Sequence, residues 1–144
     1  MKYKELQKTL NCVSKFSSLH NVGVEYSIMS VEDLRGVNGE HKEYWSQFEK
    51  NAGVYVLFSI DSQETRYIGK SDTDLGGRVH PMIYKGSHAV SRNDMNEASE
   101  ESTLKGNELV LVVSLKQYPY LASSLETYLI REISPTLNKT LNKK

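Results

Sequence analysis

The chain holds a single cysteine, Cys12, among its 144 residues, so no disulfide can form within it. A Cys-based zinc site is excluded on the same ground, and His20, His41 and His88 show no metal-ligand spacing. Disulfide poverty fits a reducing compartment. No stretch approaches the roughly 20 apolar residues of a membrane span, and the first residues do not resemble a signal peptide. The expected location is therefore cytoplasmic, with no membrane partner. Net charge is also lacking: Lys and Arg number 18, as do Asp and Glu. That speaks against a strongly basic wrapper of nucleic acid.

The length suits one domain with an appendage, and a hydrophobic fraction of 38% is enough for a core. Charge is distributed unevenly. Acidic residues dominate 25–50, through Glu25, Glu32, Asp33, Glu40, Glu43 and Glu49. Basic residues gather at Arg66, Lys70, Arg78, Lys85 and Arg92, and again at Arg131, Lys139, Lys143 and Lys144. If the fold joins the two basic groups, a local positive face exists within a neutral protein. Otherwise these are ordinary solvated charges.

Leu6, Leu10, Val13, Phe16 and Leu19 recur at helical spacing and predict an amphipathic helix over 3–20. Ser30, with Asp33 three residues on, reads as a second helix start. Tyr44, Trp45 and Phe48 form an aromatic cluster on one helical face, which packs on the domain or stacks on bases. Val54, Val56, Phe58 and Ile60 alternate with their neighbours as in a strand, and Thr65 to Lys70 is its returning partner. Leu75 to Tyr84 is helical in pattern and kinked or shortened by Pro81. Residues 85–107 are polar and aperiodic. The run from Glu108 to Lys116 is a buried strand, and Pro119 leads into a helix over 121–133 that Pro135 ends.

Glu126 is the local anomaly. Its neighbours three and four residues away are Ala122, Ser123, Leu129 and Ile130, so it sits within the stripe that should face the core. An unpaired carboxylate is rarely tolerated there. Two readings stand: Glu126 lies at the stripe's edge and reaches solvent or an arginine, or it is held in a cleft for a metal or a proton transfer.

Gly53-Val54-Tyr55, followed after eleven residues by Tyr67-Ile68-Gly69, resembles the paired signature of the GIY-YIG nuclease family. Three further features keep that family's order: Arg78 after the second triplet, Glu126 in Leu125-Glu126-Thr127-Tyr128, and Pro135 with Asn138 just beyond that helix. The resemblance runs from Gly53 to Asn138. It implies an α+β GIY-YIG fold, with a three-stranded antiparallel sheet flanked by helices. Residues 51–144 would form the nuclease domain, and 1–50 a mostly helical N-terminal extension.

The implied activity is endonucleolytic hydrolysis of DNA phosphodiesters with one divalent ion, Mg²⁺ or Mn²⁺. Glu126 would be the metal ligand and Arg78 the clamp on phosphate. Tyr55 and Tyr67 are the candidates for activating water. A phenol with a pKa near ~10 needs nearby positive charge for that work. They share a sheet face only if the hairpin pairs residues whose numbers sum to an even value. Lys70 would assist a tyrosine or touch phosphate. His80 is a candidate proton carrier, although it stands two residues after the arginine where related branches have four. Gly53, Gly69 and Asn138 would order the site. Lys70, Arg78, Lys85, Arg92 and Lys139 would contact DNA. The alternative is a catalytically inactive DNA-binding module of the same fold. Monomer and homodimer are both open.

Overall fold

The computed structural model describes residues 3–32, 50–79, 107–115 and 117–138. The aromatic cluster of Tyr44, Trp45 and Phe48 lies outside them, as do nearly all of the polar stretch 85–107 and the second half of the helix expected up to Tyr84. Two helices cover one face of a sheet. α1 spans Lys4–His20 and buries Leu6, Thr9, Cys12, Val13 and Phe16. Those positions recur every three or four residues, which turns one stripe toward the core and leaves Lys4, Lys8 and Lys15 exposed. Burial of each large apolar side chain contributes about 1.5–3 kcal/mol. Asn21 ends the helix in the left-handed region, at φ 53°. Asn tolerates that conformation, and the Val22 N–H then donates to the Ser17 carbonyl at 3.1 Å. α2 spans Ala122–Ile133, entered through a 3-10 turn at Pro119–Leu121. Ser134, also left-handed, closes it before Pro135.

The strands are β1 (Glu25–Ser30), β2 (Gly53–Ser59), β3 (Glu64–Ser71) and β4 (Glu108–Ser114). They form one antiparallel sheet in the order β1-β4-β2-β3. The architecture is α+β, as expected, but the sheet has four strands rather than three. The extra strand is β1, within the segment expected to be mostly helical. Its sequence, Glu-Tyr-Ser-Ile-Met-Ser, buries only Met29 fully, so it carries little of the alternation that marks a strand. Pairing with β4, from Glu25 opposite Ser114 to Ser30 opposite Leu109, makes it one. Local pattern is silent about a partner more than seventy residues away.

β2 lies between β4 and β3, and all seven of its residues are buried. One side of the sheet packs Val54, Val56, Phe58, Ile68, Leu111 and Val113 against α1 and α2. The other side gathers Met29, Tyr55, Leu57, Tyr67, Val110 and Val112 with Leu75, Val79 and Leu137. Leu75 and Val79 belong to a helical segment, residues 75–79, which follows β3 on that second side. Among the described residues no helix is long and apolar enough to cross a membrane.

Candidate functional site

The β2–β3 hairpin pairs Tyr55 with Gly69 and Leu57 with Tyr67. This is the even-sum register, and it turns both tyrosines to the side that carries the 75–79 helix. Their rings lie 6.1 Å apart, tilted by 39°. Tyr55 is fully buried and Tyr67 is 2% exposed.

Gly69 explains how the Tyr55 ring reaches its place. The phenol lies across the strand directly over its partner, so a Cβ at position 69 would collide with Cζ and the hydroxyl of Tyr55. Gly53 serves the sheet instead. A Cβ there would run into the Val113 carbonyl oxygen on β4 and the Leu75 side chain. One glycine thus makes room for a functional ring, and the other for close approach of backbone.

Arg78 leaves the helical segment on the exposed side, and its guanidinium interacts electrostatically with the buried Tyr55 phenol. Partial burial pulls the guanidinium downward. Its interaction with Tyr55 and the charges of Tyr67 and Glu126 outweigh it, so Arg78 is held above its ordinary value. Those causes put Tyr55, Tyr67 and Glu126 within electrostatic range of Arg78. Tyr55, Tyr67, Arg78 and Glu126 form one electrostatic group. Glu126 stands half-buried beside Leu125, Leu129 and Ile130, at the edge of the apolar stripe rather than within it. α2 and the 75–79 helix lie on opposite sides of the sheet, so only the tertiary fold brings Glu126 into range of Arg78.

Asn138 is 6% exposed and binds the sheet's end strand. Its side-chain oxygen accepts from the Ile68 N–H, and its side-chain nitrogen donates to the Ile68 carbonyl, each at 2.8 Å. The amide thus supplies both partners that an adjacent strand would have given to the residue between Tyr67 and Gly69. The Leu137 N–H donates to the Arg66 carbonyl at 2.8 Å and continues the same seam.

Lys70 departs from the group. It pairs with Val54, whose side chain belongs to the α1–α2 side, so Lys70 alternates away from the tyrosines. Its ammonium binds Asp72 at 2.9 Å on the surface. His80, Lys85, Arg92 and Lys139 lie outside the described residues. Among the described residues no group of three His, Cys, Asp or Glu side chains could hold a metal ion.

Sequence reading passed over Asp74. Its carboxylate accepts from the Gly77 N–H at 2.9 Å and from the Lys50 N–H at 3.1 Å. An Asp immediately before a helical segment is an N-cap signal and was there to be read. No protein-family model matches the chain.

Proposed function

We propose that this protein is a divalent-metal-dependent DNA endonuclease of the GIY-YIG type. One observation carries the reading. Tyr55, Tyr67, Arg78 and Glu126, the residues at the positions that carry the resemblance, come together as one electrostatic group although the sequence scatters them over two strands and two helices. Phosphodiester hydrolysis needs an activated water, relief of phosphate charge and help for the leaving oxygen, and two phenols, a guanidinium and a carboxylate can supply these with a metal ion.

Arg78 is exposed, so its N–H groups can grip a phosphate and offset charge that develops on it. The Tyr55 phenol lies within electrostatic range of that guanidinium. A cation beside a phenol is the electrostatic setting that a water-activating tyrosine needs, and both Tyr55 and Tyr67 lie in it. Glu126 is a hard oxygen donor, half-buried and alone of its kind in the group. That donor set suits Mg²⁺ or Mn²⁺, which keep several waters and take further oxygens from a substrate phosphate. When bound, such an ion neutralises phosphate charge and eases departure of the leaving oxygen. Lys70, paired with Asp72, serves DNA contact in this reading rather than catalysis.

A second reading, the catalytically inactive DNA-binding module, has one observation in its favour: neither phenol is open to solvent. Incubation with supercoiled plasmid in Mg²⁺ or Mn²⁺, and in EDTA, separates the two. The nuclease reading expects metal-dependent nicking that falls at least about a hundredfold in Glu126→Ala and in Arg78→Lys, the scale of a lost transition-state contact. DNA binding without nicking on any substrate, branched DNA included, selects the module.

A further inference from the structure

Asp74 stands where the hairpin's open end meets the helical segment that carries Arg78. Its backbone N–H donates to the Ser71 hydroxyl at 2.9 Å, which ties it to the last residue of β3. Its carboxylate oxygen Oδ1 receives two N–H groups, from Gly77 ahead of it and from Lys50 behind β2. Its carbonyl accepts the Arg78 N–H at 3.1 Å, the first hydrogen bond of the helix. The next residue, Leu75, donates to the Asn51 carbonyl at 2.8 Å. Four bonds centred on one residue thus join the entry to β2, the exit from β3 and the backbone of Arg78.

The connection is of functional interest because the segment is intrinsically loose. Gly76 and Gly77 precede Arg78, and glycine destabilises helix by about 1 kcal/mol per residue relative to alanine. Lys50 sits in the left-handed region at φ 63°, unusual for lysine. A weak helix start and an unfavourable backbone turn are held by the same carboxylate oxygen. The Tyr55 phenol with which the guanidinium interacts electrostatically is wholly buried over Gly69.

We infer that Asp74 is the positioning residue for Arg78: by capping the 75–79 helix and pinning it to Lys50, it sets the guanidinium against Tyr55. The inference rests on the proposed nuclease reading for its consequence in catalysis, but not for the geometry itself. An acceptor oxygen is what the position requires. Asn keeps one and Ala does not.

The test compares the parent, Asp74→Ala, Asp74→Asn and Ser71→Ala in two measurements on the full chain. The first follows the Arg78 guanidinium N–H resonances by ¹H–¹⁵N NMR, assigned through their loss in Arg78→Lys. The second measures kcat and KM for metal-dependent nicking. In Asp74→Ala the Arg78 signals should collapse to the position of a free arginine, and kcat should fall about tenfold or more with KM little changed. Asp74→Asn should restore both. Ser71→Ala should fall between the parent and Asp74→Ala. Arg78 signals unaltered in a folded Asp74→Ala overturn the inference whatever the activity. So does an Asp74→Asn variant as impaired as Asp74→Ala, since charge rather than the cap would then be the cause. If the parent itself fails to nick, the nuclease reading falls, and the resonances alone still decide whether Asp74 positions Arg78.

Discussion

Removal of the Asn138 side chain gives the sharpest test of how the end strand is held. In Asn138→Ala the Ile68 N–H and carbonyl both lose their partners. Ile68 is fully buried and Asn138 is 6% exposed, so water does not readily replace the amide. Each buried group left without a partner costs about 1–3 kcal/mol, so the pair costs roughly 3 kcal/mol, with about 2 as the lower bound. For a chain of this size one kcal/mol moves the midpoint by roughly 3–5 °C, so the melting temperature should drop by about 10 °C. Asn138→Asp refines the test. Its carboxylate still accepts from the Ile68 N–H but faces the Ile68 carbonyl with a second acceptor where a donor stood. Protonation restores the donor, so the folded state raises the pKa of the new carboxyl above its unfolded value. A group with a raised folded pKa contributes its stability below the unfolded pKa, near ~3.9, and loses it as pH rises through the folded pKa. At pH 7 Asn138→Asp should therefore be less stable than the parent by at least as much as Asn138→Ala, and at pH 4 its deficit should shrink while that of Asn138→Ala does not. Urea unfolding followed by circular dichroism at both pH values measures this. A deficit for Asn138→Ala below about 0.5 kcal/mol, or an Asn138→Asp deficit independent of pH, refutes the account of the amide as a substitute strand.

The remaining predictions concern packing and titration. Gly69→Ala forces a methyl against the Tyr55 ring, which has no open space to enter, and should cost about 1–3 kcal/mol while shifting the Arg78 guanidinium resonances. Gly53→Ala meets the backbone carbonyl of Val113, which cannot move without breaking the ladder to β4, so its loss in a urea titration should exceed that of Gly69→Ala. Burial, and then the charge of Glu132, hold the Cys12 thiol above its ordinary value, only partly offset by Tyr128 and the charges of Lys8 and Lys15. Its reaction with a thiol reagent should proceed in the folded protein only at the rate of opening, and match free cysteine in urea. A raised thiol contributes stability below the unfolded pKa and loses it as pH climbs through the folded one. The parent should then lose more stability than Cys12→Ala between pH 7 and pH 10. Equal losses in the two proteins would remove Cys12 from the account.

What sequence alone could decide was local. The stripe Leu6, Val13 and Phe16 predicts α1 because a helix must turn one side inward, and the alternation after Gly53 predicts β2 for the matching reason in a strand. Pro119 opens the turn into α2 because the first helical position needs no N–H, and Pro135 stands just past its end because proline cannot continue a helix. The residues of the candidate site were legible as well, since Tyr55, Tyr67, Arg78, Glu126 and Asn138 stand in short motifs. Their mutual geometry was not. The hairpin register alone decides whether the two tyrosines share a side, and an odd-sum pairing would have parted them. Strand β1 escaped notice because its ladder partner is distant and its own pattern weak. Glu126 looked anomalous on the helix, and the tertiary structure resolved this by placing it at the stripe's edge, within range of an arginine from the opposite side of the sheet. Asn138 reaches Ile68 across 70 residues of chain, and that bond has no local signature. Periodicity reports what a segment buries. Only the folded chain decides what it meets, because contacts between distant segments depend on register and on the packing of whole elements.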